Sequence, residues 1–560
     1  MSSGSVVSRI YSNFRGVDFR GEEISLVRSP NSLNMWKDYK ETESIRTRPD
    51  IDLQVPFNET IYGIFFYTVS DTEIMLVHSG TNLYKVVDGI KTQLYSGLNT
   101  IPSNAFIYNG VWYFKDGKHY LRYDGTDIGD VVGYIPTTSI GRKPSGGGTI
   151  HEDVNLLSDY RMNSFVGDGT SKVFYLDAKN ISSLVSVECD GVDYTSQAKT
   201  NLSKGKITLE TPPPAPLTDG QANVVIKFTK KVTGYADRIK KCTLLQVFDN
   251  RVFFSGNPEF PNTVWHCSLN DPTYCSDLDY YNEGLDTAQV KGMVAGNNAL
   301  WVFKEPSQAN TTVFYHTPTI DADYGKVYPS QHSSIATGCV GKAINFNDDI
   351  VFFSDRGLEG ISGDITSEQV IAHRSTVIDR KLTAEHNYKD MILEEWEGYL
   401  IIFIDNKAYL GDSRAVFTNE NHIEYEYFYW EFEKRITSAK VNKGILYLGT
   451  DDGVYTLTNN ESNVECYWIT PKDKFNYPQY LKTTNKRGCV VEAVGDISVY
   501  AKTEKTDFEL IGTYENITDY FVSRIKRKKF KDIQLKFYSN KRFSLETATL
   551  ECFIGGYLKR

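Results

Sequence analysis

MVAGNNALWVF (293–303) decides the fold: an apolar strand, an Asn–Asn turn at Asn297, and a second strand of Leu, Trp, Val and Phe. Asn tolerates left-handed backbone, and aromatic and β-branched residues favour a pleated surface, so the stretch reads as a tight β-hairpin. The pattern recurs in FIYNGVWYF (106–114, turn at Asn109), QVFDNRVFF (246–254, Asp249), INFNDDIVFF (344–353, Asp348), LEEWEGYLIIF (393–403, Glu397) and AKVNKGILYL (439–448, Asn442). From Asp249 to Asn442 the turns stand 48, 51, 49 and 45 residues apart. A hairpin repeated at such a period is the signature of a β-propeller, whose units bury enough surface only when they share a core. A weaker seventh unit turns at Asp71, between IYGIFFYTV and EIMLVHSG. The expectation is an all-β chain with roughly seven blades.

Between Asn109 and Asp249 the spacing breaks, leaving roughly 85–90 residues more than one repeat needs. A Gly-rich hinge, RKPSGGGTIHEDVN (142–155), and a Lys-rich return, KKVTGYADRIKK (230–241), bracket short alternating strands such as VFYLD and NVVIKFT. These read as an inserted small β-sandwich. A second β-sandwich is expected at the C-terminal end, from ISVYAK, DFELIGTY, DIQLKFYS and ATLECFI. The predicted organisation is an arm over 1–55, propeller blades over 56–145, the insertion over 146–235, more blades over 236–462, and the terminal sandwich over 463–560.

Composition narrows the function. The chain has 560 residues, 13% of them aromatic, a net charge of −10 and a pI near 5.6, which excludes a cationic duplex binder. Eight scattered cysteines with no C-x-x-C pair read as free thiols. No stretch approaches the roughly 18 apolar residues of a membrane span, and the opening MSSGSVVSRIYSNF has no secretory apolar core, so a soluble protein without membrane insertion is expected.

Catalytic patterns are missing. There is no G-x-S-x-G, G-x-x-x-x-G-K-[ST] or H-E-x-x-H, and the nine histidines are isolated, so the expectation is no enzyme, no catalytic residues, no metal and no cofactor. Glu394 and Glu395 suggest a glycosidase pair, but neighbours on a strand point to opposite faces. Asp124, Asp127 and Asp130 in DGTDIGD lack the spacing of a calcium loop and suit a turn. His151 in the hinge reads as solvated. SDRGLEG at Ser354 approaches a sialidase box but lacks its Trp. The basic run RIKRKKFK (524–531) reads as solvated edge lysines, with a phosphate or partner patch as the alternative.

Three regions resemble the propeller-bearing tail proteins of short-tailed phages, known as the nozzle, tail tubular protein B or packaged-DNA stabilisation protein. NFRGVDFRGEEISLVRSPNSLNMWKDYKETESIRTRPDI (13–51) is similar to that family's start, with Asn34, Met35, Arg48 and Pro49 matching and Asp50 in place of a glycine. DNRVFFSGNPEFPNTVWHCSLNDPTY (249–274), followed by the unit at Gly338–Gly357, is similar to its propeller. FKDIQLKFYSNKRFSLETATLECFIGG (530–556) is similar to its closing strands. The resemblance implies a virion structural protein assembled in the host cytoplasm. It would be a homohexamer below a portal-adaptor ring and in contact with tail fibre or spike proteins, retaining packaged DNA and guiding its exit without specific binding. The competing expectation is a distal tail adaptor or receptor-binding propeller; a cellular scaffold propeller fits the insertion and arm less well.

Overall fold

The computed structural model describes residues 5–21, 24–40, 44–307, 311–322, 325–362, 370–419, 422–460, 463–526 and 528–557. The fold is nearly all β and propeller-like, with two one-turn to two-turn helices at Tyr235–Lys240 and Asp379–Leu382.

Among the described residues, seven four-stranded antiparallel sheets follow the repeat. Two (61–96 and 104–130) precede the irregular region; four follow it (244–282, 290–332, 343–373 and 392–431). The seventh takes three strands from 438–458 and its fourth, Asp50–Pro56, from the opening segment. Contact between first strands runs from Ile61–Val69 through Asn104–Tyr108, Leu244–Phe248 and Val290–Gly296 to Ala343–Phe346. It runs again from Ile392–Trp396 through Ser438–Asn442 back to Ile61–Val69. The second strands are the most buried: Ala299–Lys304 and Tyr399–Ile404 are enclosed at every position. This is why their sequences are continuous apolar runs rather than alternating ones.

Each hairpin is set by two consecutive residues with positive φ. They are Ser70–Asp71, Asn109–Gly110, Asp249–Asn250, Asn297–Asn298, Asn347–Asp348, Glu397–Gly398 and Lys443–Gly444. That backbone matches the strand twist and favours Asn, Asp and Gly. The last turn therefore lies one residue beyond Asn442, which is the final residue of its strand.

The irregular region begins earlier than expected. Thr137–Arg142 lies parallel to Tyr160–Phe165 in a six-stranded sheet, and a three-stranded sheet packs with it around Phe165, Phe174, Ile207, Val224, Ile226 and Phe228. A parallel neighbour needs no tight turn, so nothing local marks the boundary.

The opening segment, expected as an arm, is woven into the body. Besides closing the seventh sheet, it supplies Val6–Tyr11, Met35–Lys37 and Ile45–Thr47 to a ten-stranded sheet with the C-terminal strands. The C-terminal strands, expected as a β-sandwich over 463–560, lie with these opening strands in one connected ladder. Its spine is the 24-residue strand Tyr480–Thr503. Along one edge of the spine run Phe543–Tyr557 and then Ile533–Ser539; along the other run Lys529–Phe530, Tyr520–Ser523 and Thr506–Ile517. One apolar core, including Trp36, Trp396, Trp430 and Trp468, joins this sheet to the last two propeller-like sheets.

Candidate functional site

The residues screened for chemistry are dispersed and already engaged. Glu394 accepts hydrogen bonds from Lys440 Nζ (3.2 Å) and Val441 N (3.0 Å), tying neighbouring sheets, while Glu395 is exposed. Asp124 Oδ1 caps its own turn, accepting from Thr126 N and Asp127 N at 2.9 Å each. Asp130 pairs with Lys240 at 3.2 Å, away from that turn. His151 is exposed in the hinge. In the basic run, Ile525 and Phe530 are buried, Lys528 pairs with Glu509, and Lys529–Phe530 joins the sheet; Arg527 lies outside the described residues. Among the described residues no three His, Cys, Asp or Glu side chains are grouped to hold a metal ion. All eight cysteines are buried free thiols.

SDRGLEG is a structural latch. Glu359 accepts from Ser354 Oγ (3.2 Å) and faces His373 Nδ1 (3.0 Å), whose Nε2 meets Asp379 at 2.6 Å. Burial disfavours charge on His373, but the two carboxylates outweigh it and push the imidazole up to about 10. Because this exceeds the ordinary value of about 6.5, its stabilisation is complete below about 6.5 and is lost as pH rises toward the folded value. His373→Asn is expected to melt earlier, by on the order of 2 kcal/mol near pH 6, with the gap narrowing on titration toward pH 10. Melting curves across that range check this; a pH-independent gap contradicts it.

The densest buried polar chemistry lies where the opening segment crosses onto the sheet 392–431 and the C-terminal strands. Asn34 stands at φ +55°, a left-handed conformation that asparagine adopts readily. There its Nδ2 donates to Glu465 O (2.8 Å), and its Oδ1 accepts from Glu431 N (2.8 Å) and Arg48 Nε (2.9 Å). The Arg48 guanidinium also donates to Pro49 O (2.7 Å) and Glu431 O (2.8 Å) and lies 4.5 Å above the Phe432 ring. Burial pulls Arg48 down to about 10, with Asp50 at 3.8 Å opposing the shift. Met35 is fully buried one residue along. Asn34, Arg48 and Pro49 thus form one hydrogen-bonded node, with Met35 buried beside it.

Two further ties flank it. Arg28 grips Glu426 with two hydrogen bonds of 2.8 Å and covers Phe417 at 4.0 Å. Burial raises the Glu426 carboxyl even against Arg28. Arg9 Nε donates to Asp473 Oδ2 (2.7 Å), which also accepts from Tyr11 OH (3.0 Å). Sequence reading missed Arg28, Glu426 and Asp473. A single charge inside an aromatic-rich stretch shows its partner only once the topology places the two together.

This seam ties three parts of the chain together. Arg28 and Arg9 are hydrogen-bonded to Glu426 and Asp473, and Arg48 is held by backbone carbonyls and Asn34. A cleft of about 570 Å³ opens beside the node, edged by Asp50, Glu433, Lys434, Tyr455 and Glu465.

No protein-family model matches the chain, and no curated protein does. Among solved structures, BamB from Moraxella catarrhalis aligns over 81% of this chain and 96% of its own, at 10% identity and a TM-score of 0.32. Streptogramin B lyase aligns over 73% and 98%, at 12% identity and a TM-score of 0.26. The BBS1N chain solved with ARL6DN aligns over 74% and 97%, at 10% and 0.26. Likeness at this level carries no function across, and the fold rests on the sheet topology itself.

Proposed function

We propose that this chain is a virion structural protein of a short-tailed phage tail. In this reading it forms the nozzle ring below the portal-adaptor, retains packaged DNA and guides its exit. The seven four-stranded sheets are the blades of one propeller closed by Asp50–Pro56, and the two sheets over 137–229 are a sandwich inserted between the second and third blades. The ring is a homohexamer whose neighbours are the adaptor and the fibre or spike proteins, and it acts without catalysis.

The observation that carries this reading is the node at Asn34 and Arg48. Asn34 and Arg48, two positions that match the tail family's start, are buried, bonded to each other and placed where three parts of the chain meet. A component that bears internal DNA pressure needs such ties more than it needs a reactive cleft. The net charge of −10 suits passage of DNA, because an acidic duct repels phosphate and lets the duplex slide.

The purified protein is expected to bind duplex DNA weakly even at low salt, where cationic binders are strongest. Fluorescence anisotropy with a labelled duplex measures this. Tight low-salt binding overturns the acidic-duct reading, and specific glycan binding by a stable monomer replaces it with the distal adaptor or receptor-binding propeller.

A further inference from the structure

Beside the short helix Asp379–Leu382 lies a shallow hollow of about 380 Å³, lined by Phe19, Arg380, Lys381, Ala384, Glu385 and Lys407. Three of these six side chains are cations and one is an anion. The single carboxylate is committed: Glu385 accepts from Lys407 Nζ (2.6 Å) through one oxygen and from Tyr409 OH (2.7 Å) through the other. Glu431, which also acts on Lys381, accepts the Tyr429 hydroxyl. Asp18 is paired with Arg20 at 2.7 Å. Glu22 and Glu23 lie outside the described residues.

Lys381 is left in an unusual setting. Its ammonium stands 3.3 Å from the centroid of the Tyr429 ring and 4.8 Å from that of Phe19. Among the described residues it is paired with no carboxylate, so its three N–H donors face rings and the hollow. Arg380 uses one nitrogen on Arg20 O (3.3 Å), which leaves most of its five donors available. A half-buried ammonium, a guanidinium fork and a second ammonium around one opening form a net positive site with the donors an oxyanion requires.

We propose that this hollow binds a phosphate-type oxyanion, held between Lys381, Arg380 and Lys407, supplied either as free phosphate or as the phosphate of a small phosphorylated molecule. The volume admits the anion with a small attached group and is shallow for anything larger. The site does not depend on the tail reading: it follows from charge, unpaired donors and shape.

Lys381 itself reports occupancy. Burial holds its amine down at about 8, with Glu431 and Glu385 opposing and Lys407 reinforcing the shift. More of it is unprotonated near neutral pH than of a surface lysine, so an amine-reactive reagent modifies it early. A bound phosphate favours the ammonium and blocks access, and both effects slow labelling.

The experiment is trinitrobenzenesulfonate labelling of the full chain, with the modified peptide located by mass spectrometry. Inorganic phosphate, glycerol phosphate and sodium chloride are compared at matched ionic strength. Phosphate is expected to slow labelling of Lys381 selectively, and Arg380→Gln to weaken that protection roughly tenfold through loss of a charge-assisted contact. Stronger protection by glycerol phosphate than by inorganic phosphate assigns the site to a small phosphorylated molecule; the reverse order assigns it to free phosphate. Equal slowing by chloride, or undiminished protection in a folded Arg380→Gln protein, overturns the proposal. Phosphorus NMR line broadening on the unmodified wild type is the independent measure, and the absence of saturable broadening overturns it as well.

Discussion

Deletion of residues 1–56 abolishes cooperative folding of the rest of the chain. The seven-residue strand Asp50–Pro56 is the outer partner of Gly453–Thr458, with Val55 buried opposite Val454 and packed among Ile61, Ile64 and Val77. Without it the seventh sheet ends in an open edge and its contact with the first loses apolar cover. The same deletion strips Val6–Tyr11 and Ile45–Thr47 from Phe543–Tyr557. The combined loss exceeds the roughly 5–15 kcal/mol by which domains are stable. Calorimetry is expected to show no sharp transition, and Val55→Asp, which buries one unpaired carboxylate, to lower stability by on the order of 3 kcal/mol. A truncated chain that melts cooperatively near the full-length temperature would show that the segment is a dispensable arm.

The second large effect is at Arg28. Arg28→Met leaves Glu426 enclosed, with Arg15 approaching at 4.0 Å. Removing one member of a buried pair costs about 3–5 kcal/mol, because the remaining charge keeps its desolvation penalty. The double variant Arg28→Met/Glu426→Gln is expected to recover much of that loss, since an amide needs no counter-charge. pH gives a further check. The stranded Glu426 titrates above its ordinary value of about 4.3, so the deficit of the single variant shrinks as pH falls toward that value. Denaturant melts of the three proteins at neutral and acidic pH measure both effects. A single variant as stable as wild type at neutral pH would remove the seam's mechanical role.

Much of this architecture is legible in the sequence wherever one local element repeats. Hairpins with an Asn, Asp or Gly turn between apolar strands identify themselves, because turn chemistry and strand propensity act within about ten residues. The opening segment hides its role for the opposite reason. Arg28–Ser29, Met35–Lys37 and Ile45–Thr47 are too short to show periodicity, and Ile45 pairs with Leu545 across almost the whole chain. The early start of the irregular region at Thr137 is hidden by its parallel pairing. In the seam, Asn34 and Arg48 come forward through family resemblance alone. Their partners are mostly backbone carbonyls and amides, which carry no residue-type signal at all.

The proposed function makes this chain a rigid ring component. Negative-stain imaging of the purified full chain tests this most directly. The account predicts class averages of a sixfold ring with an open central duct. Uniform monomers at concentrations well above those used for imaging would contradict it.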